Sequence, residues 1–266
     1  MFVYFYNVFS KRGIILPIKT KNLLYVLLAA LIVGCSSSMD TTKFTPEEHF
    51  NYAMKLYNEG DYEPALQEFQ NFVLQFSGSA FNDDAQYYLA MTYFQRKQYL
   101  LAAYEFSKLI KNISASPFVS DAQFMLAECY YKLSPPYQLD QAYTKKAIEE
   151  FQAFIDFFPS NKKVEEADRK IKEMNEKLAE KEYQSAVIYE KMQYEYAAIK
   201  YYAMVVDTYH DTQYAPKALY NKIKIEVKKK LNNDALADIS LFLNRYPNDT
   251  NAKELQGIEV ALSDKK

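Results

Sequence analysis

Glycine and proline are scarce in this sequence, whose 266 residues include only 5 glycines and 9 prolines. Short strands joined by hairpins need glycine-rich turns between runs of alternating apolar and polar residues. The chain lacks that pattern. Its runs rich in Ala, Leu, Lys, Glu and Tyr predict helices instead.

Residues that commonly take part in catalysis or ligand binding are also few. The chain has no tryptophan, 2 cysteines and 2 histidines, and its 32 basic residues nearly balance its 34 acidic ones. This balance gives no electrostatic footprint for nucleic acid, and no glycine-rich loop could hold a nucleotide phosphate. His49 and His210 have no Ser or Cys partner at a useful spacing, so we interpret both as surface or capping residues and expect no enzymatic activity.

The remaining candidates for acid/base or metal chemistry are adjacent acidic residues. We interpret them as solvated residues near helix starts, where they complement the helix dipole, and expect no metal and no cofactor. Cys129 has apolar neighbours in a helical run and is interpreted as a buried bystander thiol. The acidic pairs are Glu47–Glu48, Asp83–Asp84, Glu149–Glu150 and Glu165–Glu166.

Residues 1–34 differ from the rest and read as a secretory signal peptide. Four basic residues precede the apolar stretch 23–33, which is too short to span a bilayer comfortably. The stretch ends at Gly34 and Cys35, a junction that resembles the bacterial lipobox. We therefore expect covalent lipid on Cys35, an anchor in a membrane and a tether over residues 35–44, although an unmodified cysteine after an ordinary signal peptide is the alternative.

A helix-turn-helix unit recurs from Thr45 onward. Thr45–Pro46 predicts a helix start and Gly60 the turn that ends the first helix. Small residues in the first helices lie 37 residues apart, and the second helices share a small–aromatic–apolar spacing that resembles the tetratricopeptide repeat (TPR). The first-helix series is Ala53, Ala90 and Ala127. The second-helix series is Ala65/Phe69/Phe72, Ala102/Phe106/Leu109, Ala147/Phe151/Phe154, Ala198/Tyr202/Val205 and Ala235/Ile239/Phe242.

Two insertions interrupt this period. Residues 133–141 predict a long loop inside repeat three, and the stretch from about 162 to 192 predicts one long helix with the ion pairs Glu166–Lys170 and Glu173–Lys177. We expect an all-α, right-handed superhelical solenoid of about five TPR-like repeats, with the long helix joining repeats three and four. Its expected parts are repeats 1–3 (45–160, the client-binding half), the long helix with repeats 4–5 (161–249, the complex-docking half) and a C-terminal tail (250–266).

Aromatic residues recur at the first-helix positions that face the concave groove in TPR units. They form three rungs, with an aromatic at both outer positions of each, and the equivalents in repeat four are Tyr183, Val187 and Glu190. We expect a groove for an extended peptide with aromatic side chains, and simple packing between helices is the alternative. The rungs are Phe50/Met54/Tyr57, Tyr87/Met91/Phe94 and Phe124/Glu128/Tyr131.

Together, the lipobox, the tether and the five repeats resemble the BamD family of outer-membrane assembly lipoproteins. The most specific segments are the loop 134–141 followed by Ala147 and Phe151, the segment 177–183, and the segment 209–213 after Ala198. His210 is a departure, because the family usually has a proline at this position. The resemblance implies a lipoprotein on the periplasmic face of the outer membrane. Its N-terminal repeats would bind unfolded outer-membrane proteins, and its C-terminal repeats would dock on a BamA-type insertase beside other assembly-complex subunits.

Two other functions remain open at this point. One is a TPR scaffold of the cell envelope that coordinates division or peptidoglycan synthesis, which gives no reason for the tyrosine-bearing loop 134–141. The other is a helical glycan-binding lipoprotein, against which the short chain and the absence of tryptophan count.

Overall fold

The computed structural model describes residue 41 and residues 43–264, which fall into two compact units. In the first unit, residues 1–44, the Phe44 amide donates a hydrogen bond to the Thr41 carbonyl. The signal peptide and Cys35 lie outside the described residues. The second unit starts at Thr45, and all of its regular secondary structure in the described range is helical.

Eleven helices make up this second unit as far as residue 264. They pack mainly against their neighbours in sequence, as expected for stacked repeats. In chain order they are α1 Pro46–Glu59, α2 Tyr62–Gln75, α3 Asn82–Gln95, α4 Tyr99–Asn112, α5 Val119–Leu133, α6 Ala142–Phe157, α7 Val164–Lys191, α8 Glu195–Thr208, α9 Tyr214–Lys229, α10 Asn232–Arg245 and α11 Ala252–Ser263.

The first helix begins and ends as the sequence predicts. The Thr45 hydroxyl accepts from the Glu48 amide, the Glu48 carboxylate accepts from the Thr45 amide, and Pro46 occupies the first turn. Gly60 then adopts a left-handed conformation with φ 84°. The same turn position holds the non-glycine residues Lys97, Gln193 and Lys230, with φ of 60–63°.

The repeat signature is confirmed by burial. Every alanine of the two predicted series has no exposed surface, so paired helices approach closely at these positions. The aromatic and apolar members of the second-helix series are equally buried and fill the space between helices: Phe69, Phe72, Phe106, Leu109, Phe151, Phe154, Tyr202, Val205, Ile239 and Phe242. The fold is therefore all-α and TPR-like.

The long helix is also confirmed, as a single element of 28 residues. Its first half, including Ile171 and Met174, packs in one core with α5 and α6, whereas Ala179 and Ala186 belong to a second core with α8–α11. One element therefore contributes to both halves of the solenoid. Of its predicted ion pairs, Glu166–Lys170 forms at 3.1 Å.

Residues 250–266, expected to be a tail, contain α11. Its Ala252, Leu255 and Leu262 are buried in the same core as α10. A final helix of this kind covers the apolar end of a repeat stack, which would otherwise face water. Among the described residues, no helix combines the length and the apolar character needed to cross a membrane.

Candidate peptide-binding groove and docking surface

The first rung of the predicted groove is partly buried. Phe50 is 9% exposed and stacks on Phe81 at 5.3 Å between ring centroids. Met54 and Tyr57 are half-buried, and Tyr57 packs edge-on against Tyr88 of the next repeat at 5.4 Å. Burial raises the pKa of the Tyr57 hydroxyl. This rung therefore contacts the second repeat but keeps accessible surface at Met54 and Tyr57.

The second rung has the same character. Tyr87 stacks on Phe118 with centroids 4.7 Å apart, and burial, followed by the nearby Asp121 charge, raises its pKa. Met91 and Phe94 are half-buried, and Phe94 packs edge-on against Tyr99 at 5.3 Å. Met91 and Phe94 are thus placed like Met54 and Tyr57 in the first rung.

The third rung is covered by α7. Phe124 is only 4% exposed and packs against Phe151 and Phe154 at 5.5 and 5.3 Å. The Lys170 ammonium forms an ion pair with Glu128, which is 7% exposed, and lies 5.0 Å from the centre of the Tyr131 ring.

Lys163, which immediately precedes α7, and Glu173 of α7 complete this cover. The Lys163 ammonium lies 4.7 Å from the centre of the Phe124 ring and 2.8 Å from Asp121. The Tyr131 hydroxyl donates to Glu173 at 2.8 Å, and its pKa is raised to about 12 by burial and then by that carboxylate. The residues of the third rung are therefore engaged within the chain.

The covering lysines could have been found in the sequence. Lys163, Lys170 and Lys177 recur at steps of seven residues, and the first two follow their acidic partners by 42 residues. Lys177 follows the pattern approximately, because it donates at 2.8 Å to the hydroxyl of Ser134, 43 residues earlier. It does not pair with Glu173. The second predicted i,i+4 pair is thus replaced by contacts to α5 and the loop after it. Peptide binding by the rungs stays a prediction.

Two interpretations of polar residues are wrong. His49 is no surface residue, since it is 1% exposed and its Nε2 lies 2.6 Å from Glu68, whereas the His210 side chain is 56% exposed as expected. Glu149 and Glu150 lie in the middle of α6, where Glu150 pairs with Lys146 at 3.1 Å. The other three acidic pairs do lie in first turns.

Cys129 has no exposed surface, and burial, followed by the Glu128 charge, raises the pKa of its thiol. A buried thiol with a raised pKa is a poor nucleophile, which agrees with the bystander interpretation. No cluster of side chains suited to binding a metal ion occurs within the part of the chain that the structure describes.

A separate apolar surface lies at the turn between α7 and α8, which we call the repeat-four patch. It consists of Ile188, Met192, Tyr194 and Tyr196, whose exposed fractions are 57, 56, 58 and 67%. When the repeats are aligned on their left-handed turn residues, the last three correspond to Glu59, Asp61 and Glu63 of repeat one. Exposed apolar side chains concentrated at a position that is acidic in another repeat suit contact with a partner.

Comparison with known proteins identifies the family. A family model described as an outer membrane lipoprotein, YfiO, matches residues 42–240. The chain belongs to the YfiO family of outer membrane lipoproteins. The outer membrane protein assembly factor BamD of Rickettsia prowazekii (strain Madrid E) is 28% identical over an alignment of 237 residues that covers 86% of this chain and 92% of that relative. The resemblance to the BamD family is thereby confirmed.

Solved structures of TPR proteins are also similar. A TPR repeats protein of Bacteroides fragilis NCTC 9343 is 14% identical, with 82% of this chain and 99% of that chain covered and a TM-score of 0.46. The TPR2AB domain of yeast Sti1, solved in a pHSP90 complex, is 14% identical, with 82% and 84% covered and a TM-score of 0.42. These likenesses carry no inference about what the YfiO-family chain binds.

Proposed function

We propose that this protein is a non-enzymatic, lipid-anchored subunit of a machinery that assembles outer-membrane β-barrels. The single observation that carries the proposal is the match to an assembly factor over 86% of the chain and 92% of that relative. The repeat fold supports it, because stacked helix pairs offer extended binding surfaces with no catalytic cluster required.

The lipid on Cys35 would hold the folded unit at the periplasmic face of the outer membrane. Acyl chains contribute about 0.8 kcal/mol per buried CH₂, so several chains together anchor stably. Labelling cells with a palmitate analogue tests this step. We expect a labelled wild-type chain and an unlabelled, membrane-released Cys35→Ser variant; a variant that is labelled like the wild type would contradict it.

The first two rungs would capture unfolded barrel precursors. Their accessible Met54, Tyr57, Met91 and Phe94 suit aromatic side chains of an extended segment. A fully docked aromatic contributes about 4–5 kcal/mol at about 25 cal/mol per Å². After the costs of association, two such anchors leave roughly micromolar affinity, which suits a client that must be handed on.

The repeat-four patch would dock on a BamA-type insertase. Affinity purification of the tagged chain from detergent-solubilised membranes, followed by mass spectrometry, tests the assignment. We expect near-stoichiometric recovery of a BamA-type barrel protein and other assembly subunits. Recovery of division, peptidoglycan or glycan-uptake proteins in their place would reject the assembly function.

Variants locate the docking surface in the same experiment. Ile188→Glu with Tyr196→Glu places two charges on the patch, and we expect the insertase to be lost from the purified material. Leu74→Glu with Val260→Glu is the matched control, because those side chains are 80 and 62% exposed elsewhere on the surface. Equal recovery with both double variants would exclude the patch.

A further inference from the structure

An open cleft of about 430 Å³ lies between the loop 134–141, α7 and the start of α9. It adjoins the third rung, since Glu173 accepts from Tyr131, and it shares no residue with the repeat-four patch. Its lining combines aromatic rings with acidic side chains, and the residues that carry the argument are Tyr137, Glu173, Glu176, Lys177, Glu180 and Tyr214.

Two of the three carboxylates of the cleft receive hydrogen bonds from neutral donors. Glu173 accepts from the Tyr131 hydroxyl at 2.8 Å, and Glu176 accepts from the Gln213 backbone amide at 2.9 Å through Oε1. Burial, followed by the nearby Glu180 charge, raises the pKa of the Tyr214 hydroxyl. Neutral donors orient these carboxylates but leave their negative charge uncompensated.

The ammonium groups of Lys177 and Lys181 are directed to the loop. Lys177, the single cation of the lining, donates to the Ser134 hydroxyl at 2.8 Å. Lys181 donates to the Leu139 carbonyl at 2.6 Å and to the Tyr137 carbonyl at 3.3 Å. The lining therefore carries three carboxylates against one ammonium.

Glu176 shows the imbalance at the level of one atom. Its Oε2 is buried and has no hydrogen-bond partner in the structure, although Oε1 is satisfied by Gln213. A buried carboxylate oxygen without a donor costs free energy, because it has lost water and gained nothing in return. A positively charged donor that reaches this oxygen would remove that cost.

We propose that this cleft binds an arginine side chain presented by a partner protein. A guanidinium has several donors in one plane, so it can pair with Glu176 and Glu180 together. Its flat face also stacks favourably on a tyrosine ring, and Tyr137 lines the cleft. The proposal deepens the proposed function, since it rests on the chain working by binding other proteins, but it does not depend on the identity of the insertase.

The test uses the full-length chain in detergent and fluorescence anisotropy with the labelled peptide acetyl-Ala-Arg-Ala-Arg-Ala-amide. A second peptide carries citrulline, a neutral isostere, at both arginine positions. We expect the arginine peptide to bind at low salt and the citrulline peptide to bind about tenfold more weakly or not at all.

Glu176→Gln with Glu180→Gln removes two charges while keeping side-chain size, and we expect about a tenfold loss of arginine-peptide binding. Glu47→Gln with Glu165→Gln removes two charges from exposed positions outside the cleft and should bind like the wild type. Circular dichroism confirms that both variants keep their helices. Equal binding of the two peptides, or equal loss in both double variants, would overturn the proposal.

Purification of the insertase separates this inference from the proposed function. If the arginine peptide fails to bind but the barrel insertase still co-purifies with the wild-type chain, the cleft assignment alone is wrong. If neither binds, the proposed function fails as well.

Discussion

Repeats one and three carry the same aromatic pattern but use it differently. In repeat one, Met54 is half-buried, whereas its counterpart Glu128 in repeat three is 7% exposed and pairs with Lys170 of α7. Tyr57 and Tyr131 are both half-buried, but the Tyr131 hydroxyl donates to Glu173 of α7. The difference arises from the 14 residues by which the chain exceeds the repeat period, since they lengthen α7 enough to lie on both cores. A repeated pattern therefore indicates where side chains lie, while the element packed above them decides what they can bind.

The largest effect on stability is expected from truncating Phe124 in the third rung. Phe124→Ala empties a site enclosed by Phe151 and Phe154, and we expect a loss of about 3–5 kcal/mol in the free energy of unfolding. Urea denaturation measures it. Phe94→Ala, at the outer position of the second rung, should cost clearly less because its side chain is half-buried. Equal losses would mean that the two rungs are packed alike.

The cover itself is tested by Lys170→Met. This change leaves the Glu128 carboxylate buried without its ammonium partner, and we expect a loss of about 3 kcal/mol in the free energy of unfolding. Adding Glu128→Gln should restore part of that loss, because the unpaired charge is then gone. A single variant as stable as the wild type would show that α7 is not held to α5 by this pair.

The C-terminal core should respond to pH through Glu226. The Glu226 side chain is 2% exposed, and it shares the Lys222 ammonium with Asp238. Burial, together with the smaller effect of the Asp238 charge, raises the pKa of Glu226 to about 7. The unfolded chain releases this proton near pH 4.5, the ordinary value, so stability should fall as pH rises from there through about 7.

Urea denaturation at pH 5 and pH 8 measures this dependence. Between the two values, the wild type should lose about 2 kcal/mol more than Glu226→Gln, which has no proton to release. Glu165→Gln, which changes an exposed residue, should behave like the wild type. Parallel pH curves for wild type and Glu226→Gln would contradict the buried titration.

The smallest effect is expected on peptide affinity. Tyr57→Leu with Phe94→Leu keeps apolar volume but removes two aromatic rings from the first two rungs. The ligand is a peptide copied from an aromatic-rich terminal strand of a barrel protein. We expect its binding to weaken by about 1 kcal/mol, roughly fivefold. Isothermal titration calorimetry measures it. Tyr131→Leu makes the same change in the covered rung and should leave affinity unchanged.

Much of the fold could be predicted because its signals are local. The Thr45 cap, the Gly60 turn and the long helix follow from residues a few positions apart, and the buried alanines follow from the 37-residue period. The covered third rung leaves no local signal, since Lys170 contacts Glu128 across 42 residues. The spacing of Lys163 and Lys170, which matches that of Asp121 and Glu128, is the signal in the sequence that indicates it. The burial of His49 is not predictable for the same reason, because its partner Glu68 lies on the second helix of the pair.

Photocrosslinking in living cells tests the central claim most directly. A benzoylphenylalanine placed at position 57, 94 or 131 replaces one aromatic residue with another in the first, second or third rung. The account predicts crosslinks to unfolded outer-membrane proteins from positions 57 and 94 and none from position 131. Equal crosslinks from all three positions would contradict the covering role of α7, and none from any position would contradict client capture by the groove.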